Sequence, residues 1–362
     1  MTIPFMRLDR QFADLREEIM LAIMPVLESG AALQSPPVQA LECALSSLVQ
    51  TRHAAAVSNG TDALALGIMA LDLPAGSRIA VTSMSFVASA SAILRCGHEP
   101  VFVDVDPATM MMDTGATLEL VQANAVDAVM VVHLYGQLMD LDVLGAACAE
   151  RDIPIIEDGA QALGALRHGR PMGRHGRVTC LSFDPTKVIG AYGSGGAVLT
   201  DDADIDRKVR LLRYHGHAGN QEYPKLGFNH QIDAIQAAIL LAKLPHLDAW
   251  ADRRRQIAVA YDATLADIGL SPVRRIDNGT HNFHKYVFWA SDREEVQTRL
   301  SASGVQTKVQ YPVPLHRQAM FSQDITLPKA EEAARHILSL PIYAELTDGE
   351  VEAVCDALRA AG

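Results

Sequence analysis

Short apolar runs alternate with helical stretches through the first 158 residues, and few folds accommodate that rhythm. The runs are HAAAV (53–57), RIAVT (78–82), PVFVDV (100–105), DAVMVVHL (127–134) and IPIIED (153–158). Between them lie helix-like segments at 61–71, 86–95, 114–123 and 140–150. Continuous apolar strands separated by helices predict a parallel sheet covered on both faces. After 158 a Gly/Arg/His loop (164–177) leads to VTCLSF (178–183) and GGAVLT (195–200), which read as adjacent strands. A long amphipathic run follows from about 232 to 266. Beyond it, 284–290, 304–311 and closing helices at 329–339 and 347–360 predict a small α+β unit. The expected architecture is therefore a large domain over 1–248 with a mostly parallel sheet, and a small C-terminal domain over 249–362.

The 43 acidic residues outnumber the 31 Lys and Arg, leaving a formal net charge of −12. That balance argues against a nucleic-acid partner, which needs a basic patch to neutralise phosphates. Small phosphorylated molecules remain admissible, because they need only local donors. Five scattered cysteines with no C-x-x-C spacing read as free thiols. The thirteen histidines form no H-x-x-x-H or H-E-x-x-H pattern, so no metal site is expected. MTIPFMRLDR is charged too early for a signal peptide, and no run reaches 18 apolar residues. A cytoplasmic protein with no membrane partner is the expectation.

Three motifs sit at predicted strand ends, where open α/β sheets place their ligands. In VSNGTDALALGIMAL (57–71), Gly60 permits a tight turn and Thr61 opens a helix whose free N–H groups suit a phosphate. An ordinary helix capped by Asn59 or Thr61 is the alternative there. In IIEDGAQALGA (155–165), Asp158 ends an apolar strand, where a carboxylate is costly unless a cation meets it. It could instead cap the next turn. In LSFDPTKVIGAYGSGG (181–196), Lys187 sits among apolar residues that would lower its pKa, as a Schiff-base amine requires. A surface lysine laying its stem over apolar neighbours is the alternative. The order (phosphate turn, strand-end acid, buried lysine) is the layout of a pyridoxal phosphate (PLP) site.

These motifs, with SFVASASAILRCGHEPVFVDVDP (85–107), VVHLYGQLMDLD (131–142), RYHGHAG (213–219), LGFNHQIDAIQAAILLAKLPHLDAW (226–250) and YPVPLH (311–316), resemble the DegT/DnrJ family of PLP-dependent sugar aminotransferases of fold type I. The resemblance implies the aspartate aminotransferase-like fold, with PLP and its pyridoxamine form as cofactor. It implies Lys187 as the Schiff-base lysine and Asp158 as the acid beneath the ring nitrogen. Gln161 would lie near the ring hydroxyl and Phe86 on the ring face, while Gly60, Thr61, Asp62 and Ser182 would hold the phosphate. Asn229 would reach the phosphate of a second subunit, which makes a homodimer. Tyr311 and His316 would face the substrate. The implied reaction carries an amino group from glutamate to a keto-sugar, probably nucleotide-linked, in amino-sugar or polysaccharide biosynthesis. A related sugar dehydratase would carry histidine in place of Lys187, and a binding or regulatory protein would not need the full set. The chain departs from the family pattern at Asp184, Val188, Gln231 and Gln310, which leaves the sugar open.

Overall fold

The structure is a computed structural model and describes residues 2–321 and 323–361. Seven strands form one sheet: β1 (His53–Val57), β2 (Arg78–Thr82), β3 (Glu99–Val103), β4 (Ala128–Val132), β5 (Ile155–Asp158), β6 (Val178–Ser182) and β7 (Gly196–Thr200). Their order is β1-β7-β6-β5-β4-β2-β3. The pairs from β3 to β6 are all parallel, whereas β7 runs antiparallel to both β6 and β1. β1, β2, β4, β5 and β6 therefore all end on the same edge. The turns that follow them, at 58–60, 83–87, 133–137, 159–161 and 183–187, open together there.

Before β1 the chain forms two helices that the strand rhythm does not signal, α1 (Leu8–Ser29) and α2 (Pro36–Val49). The four alternating helices are present as α3 (Gly60–Ala70), α4 (Ala88–Arg95), α5 (Thr114–Gln122) and α6 (Asp142–Ala149). They are followed by α7 (Ala203–Arg213) and α8 (Ala234–Lys243). One apolar core joins α2 and α8 to one sheet face through Leu41, Leu45, Phe183, Ala237 and Leu240. A second fills the other face with Leu64, Leu66 and Ile68 of α3, Ile93 of α4 and Val209 of α7. Eight of the eleven residues of α3 are buried, so its start is held rigidly against the sheet.

The amphipathic run at 232–266 is broken at Leu244–His246, a single 3₁₀ turn containing Pro245. Proline has no N–H for the helical ladder, and α9 (Leu247–Asp267) starts anew beyond it. The remaining elements are β8 (Ser271–Pro272), β9 (Tyr286–Trp289), α10 (Arg293–Ala302), α11 (Pro328–His336), β10 (Ile337–Leu340) and α12 (Asp348–Ala361). Three short antiparallel strands in the order β10-β9-β8 make the second sheet. Two expectations differ here. The helix expected to run to 339 ends at His336, because Ile337–Leu340 is wholly buried and pairs with β9. Residues 304–311 form no continuous strand; only Val305 and Lys308 make isolated bridges, to Ile3 and Ser339. The core of this unit includes Tyr261, Phe288, Leu338 and Leu358, and Ile3 returns from the start of the chain to join it.

Candidate active site

Asp158 ends β5 with its side chain buried. Its carboxylate accepts from the Ser89 hydroxyl at 2.7 Å and from the Ala160 N–H at 3.1 Å. Ser89 comes from α4 and is itself paired with Ser85 at 2.9 Å. Burial pushes the Asp158 carboxyl above its ordinary pKa, against the two hydrogen bonds and the charge of Lys187. A carboxylate in this state gains most from a cation placed against it.

Lys187 is a cation whose charge reaches Asp158, though the two make no direct ion pair among the described residues. Lys187 follows β6 in a turn closed by its own N–H donating to the Asp184 carbonyl at 2.9 Å. It is half-buried. Burial lowers its pKa, while Asp158 and Asp184 pull it back up. Among the described residues, its ammonium has neither a hydrogen-bond acceptor nor an ion-pair partner. The surface-lysine alternative does not describe this environment.

Gln161, three residues past the end of the strand, links the turns. Its carbonyl oxygen accepts from the Tyr135 N–H at 2.8 Å and its amide donates to the Tyr311 hydroxyl at 3.1 Å. Tyr311 is close enough to Asp158 for the carboxylate to raise its pKa, in addition to the effect of burial. The Phe86 ring lies 6.3 Å from the Tyr311 ring, tilted against it, and is half exposed. The fold thus brings Asp158, Lys187, Gln161, Tyr311 and Phe86 to one place.

The phosphate-type turn abuts this cluster. At the start of α3 the Asn59 side chain accepts from the Asp62 N–H at 2.8 Å, so the helix is capped by Asn59. The Ala63 N–H goes to the Asn59 carbonyl. The Gly60 and Thr61 N–H groups are left without an acceptor among the described residues, as the opening turn of a helix dictates. Gly60 is required by contact: a Cβ there would lie 2.5 Å from the Ser182 Cβ. The Ser182 hydroxyl and the helix N-terminus are therefore neighbours. Asp62 is placed otherwise than expected. Its carboxylate accepts from Ser58 at 2.6 Å and Asn59 at 2.7 Å, and pairs with Arg95 at 2.6 Å and His230 at 3.1 Å. Burial raises its pKa, but the bonds from Ser58 and Arg95 outweigh that and hold it low. An acceptor-only group so engaged fastens the turn and has no proton to offer a phosphate.

Residues 13–359 match the DegT/DnrJ/EryC1/StrS aminotransferase family. The chain belongs to that family. A UDP-N-acetyl-3-dehydro-α-D-glucosamine 3-aminotransferase of Acidithiobacillus ferrooxidans is 36% identical over 99% of this chain and 97% of its own length. A pleiotropic regulatory protein of Geobacillus stearothermophilus is also 36% identical, over 98% of this chain and 97% of its own. The crystal structure of Streptomyces venezuelae DesV in complex with a ketimine intermediate superposes with a TM-score of 0.95 at 33% identity, covering 99% of this chain and 98% of the other.

Two expected site residues of this DegT/DnrJ/EryC1/StrS family member lie apart from the cluster. Asn229 is exposed, and among the described residues its side chain bonds only the Gln231 amide, at 3.4 Å. Its neighbour His230 nevertheless ties this loop to the start of α3, since Ser58 N–H donates to the His230 carbonyl at 2.9 Å. His316 does not face a substrate. It is 1% exposed, pairs with Glu331 at 3.1 Å and lies beside the Phe102 ring. A side chain so enclosed holds the 315–317 turn to α11 and offers no surface to a ligand. Ser89, His133 and Tyr135 were not identifiable from sequence. His133 accepts from the Met139 N–H, so it donates to Glu157, which three backbone N–H groups of 173–176 also bind. Strand alternation sends Glu157 and Asp158, consecutive in β5, to opposite faces of the sheet. No group of three or more metal-ligating side chains occurs among the described residues, and no helix is long and apolar enough to cross a membrane.

Proposed function

We propose that this aminotransferase uses PLP to move an amino group from glutamate to a nucleotide-linked keto-sugar. The observation that carries the reading is Asp158 and Lys187 at neighbouring strand ends, each destabilised in its charged form by burial. The residues present fit the cofactor. Asp158 needs a cation, the Gly60 and Thr61 N–H groups and the Ser182 hydroxyl converge where a phosphate could sit, and Phe86 leaves a ring face open. Bound there, the cofactor supplies an aldehyde that carries the amino group and a ring that accepts electron density.

The chain's own residues do the rest. Lys187, with its lowered pKa, has a larger neutral fraction at working pH than an ordinary lysine, so it can attack the aldehyde. With the cofactor bound, its amine would be placed to move a proton between the donor's α-carbon and the cofactor's C4′ atom. Asp158 keeps the proton on the ring nitrogen. One pKa unit there corresponds to about 1.4 kcal/mol, so a buried pair is sufficient to fix the protonation state. Gln161 would hold the ring hydroxyl side, and Tyr311 would border the substrate side.

Nucleotide-linked 3-keto sugar chemistry is supported by the A. ferrooxidans relative's name. A homodimer belongs to the same reading, as do a cytoplasmic setting and the division into 1–248 and 249–362. It is supported by the apolar surface α1 leaves uncovered, with Met20, Leu21, Met24 and Leu27 all exposed. The test is spectroscopic. Purified protein loaded with PLP should show the visible absorption of lysine-bound cofactor, lose it with glutamate and regain it with a nucleotide-linked keto-sugar. No loss of absorption with any amino acid donor would overturn the reading.

A further inference from the structure

The small unit carries two lysines on one aromatic ring, Lys285 buried and Lys308 exposed, and among the described residues neither has an anion. Lys285 directly precedes β9 and is only 6% exposed. Its ammonium lies 5.2 Å from the centroid of the Phe5 ring, and so does that of Lys308. Phe5 is fixed in place: its N–H donates to the Gln306 side chain at 3.2 Å, and Ile3 bonds Gly304 and Gln306 on the same segment. Among the described residues neither lysine has a hydrogen-bond acceptor or a carboxylate partner. An aromatic face compensates an ammonium only in part, by roughly 0.5–2 kcal/mol.

The surroundings do not neutralise the group. Arg254 lies behind it, 4% exposed, spending its own donors on the Phe283 and Ile342 carbonyls. His284 and His281 are held neutral by burial and by neighbouring cations. Burial, Arg254, Lys187 and Lys308 together bring the Lys285 pKa down to about 7, and only Asp184 opposes them. The Gln310 side-chain oxygen, on the segment that carries Lys308, is buried without a donor. Two ammoniums held against one ring without a carboxylate raise the local concentration of anions.

We propose that Lys285 and Lys308, seated on Phe5, form a subsite for a substrate carboxylate whose reacting carbon lies at Lys187. This rests on the aminotransferase reading. The Lys285 N–H donates to the Tyr135 carbonyl at 3.1 Å, on the turn that Gln161 holds, and the Lys187 charge lowers the Lys285 pKa, so an anion held there belongs to a molecule that also reaches Lys187. A carboxylate satisfies that, either on the donor amino acid or on a sugar-acid acceptor. Binding the anion favours the charged Lys285, so affinity falls as pH rises through about 7, the lysine's own value.

The two half-reactions separate the sources. Wild type, Lys285→Met, Lys308→Met and Lys285→Arg are each loaded with cofactor. Cofactor absorbance then follows glutamate in one arm, and a uronic versus a neutral nucleotide keto-sugar in the other. The Met variants should raise the KM of the carboxylate-bearing substrate about tenfold or more, in one arm only, leaving a neutral sugar unaffected. Lys285→Arg should restore affinity and flatten its decline between pH 7 and 9, which a merely structural lysine would not do. Direct binding of glutarate and of glucuronate, both unreactive, is read by thermal shift on the same proteins. Wild type should bind one of them and the Met variants should not. The subsite is overturned if wild type binds neither, or if both Met variants remain folded and keep wild-type KM and pH profiles. The aminotransferase reading fails separately, if wild type loaded with cofactor reacts with no donor while still binding a carboxylate.

Discussion

Lys187 and Asp158 carry opposite consequences of the same burial. Removing the Lys187 amine in Lys187→Ala should reduce transamination on the order of 10³-fold or more with the fold retained, measured as turnover and far-UV circular dichroism. Asp158→Asn keeps acceptor geometry for Ser89 but cannot hold a proton on a ring nitrogen. Its proton-transfer step should slow at least about tenfold, equivalent to roughly 1.4 kcal/mol, with cofactor still bound. Its effect on the cofactor-free chain should be the reverse. A carboxyl whose folded pKa is raised binds protons better folded than unfolded, so its ionisation destabilises the fold as pH rises from the ordinary carboxylate value through the folded one. Cofactor-free Asp158→Asn should therefore lose less stability than wild type between pH 4 and 7, read from melting temperatures. Asp158 and Lys187 were legible because a charged residue at the end of an apolar run is costly. Ser89 was not, because a serine on a short helix looks the same whether or not it meets a carboxylate 69 positions away.

At the scale of elements, the strand rhythm located the five runs of the first half because buried parallel strands are apolar throughout. It did not show α1 and α2, which precede it, or the exchange of a helix end for β10, whose four residues are equally apolar in either state. Two glycines let the β1–α3 turn close on β6 and β7. A Cβ at Gly60 would meet Ser182, and one at Gly196 would lie 2.4 Å from the Asn59 carbonyl oxygen. Gly60→Ala should thus displace the start of α3, costing about 1–3 kcal/mol of stability and weakening PLP affinity at least about tenfold. Gly60→Ala with Ser182→Gly relieves the clash. It should recover the melting temperature but not cofactor affinity, because the hydroxyl is gone. Equal recovery of both would mean that Ser182 has no part in phosphate binding.

For the whole molecule, the unanswered question is where the Asn229 side chain acts, since among the described residues of its own chain it bonds only Gln231. Its loop is anchored to the start of α3 yet faces outward, with Leu226 87% exposed beside it. Together with the uncovered face of α1, this surface suits the proposed second subunit better than solvent. A two-fold interface is self-complementary, so if Asn229 completes the partner's phosphate site, both sites are completed at once. Lys187→Ala and Asn229→Asp chains should then each be inactive alone, the second because a carboxylate repels the phosphate. In a mixed dimer, one site combines intact Lys187 with intact Asn229 from the partner, while the other collects both lesions. Activity should return to about half of wild type per mixed dimer, in proportion to the mixed dimers formed by subunit exchange. If Asn229 served its own chain's site, the lesions would stay in separate sites and no activity would return. That result, or an active monomer in sedimentation, would place the whole site within a single chain.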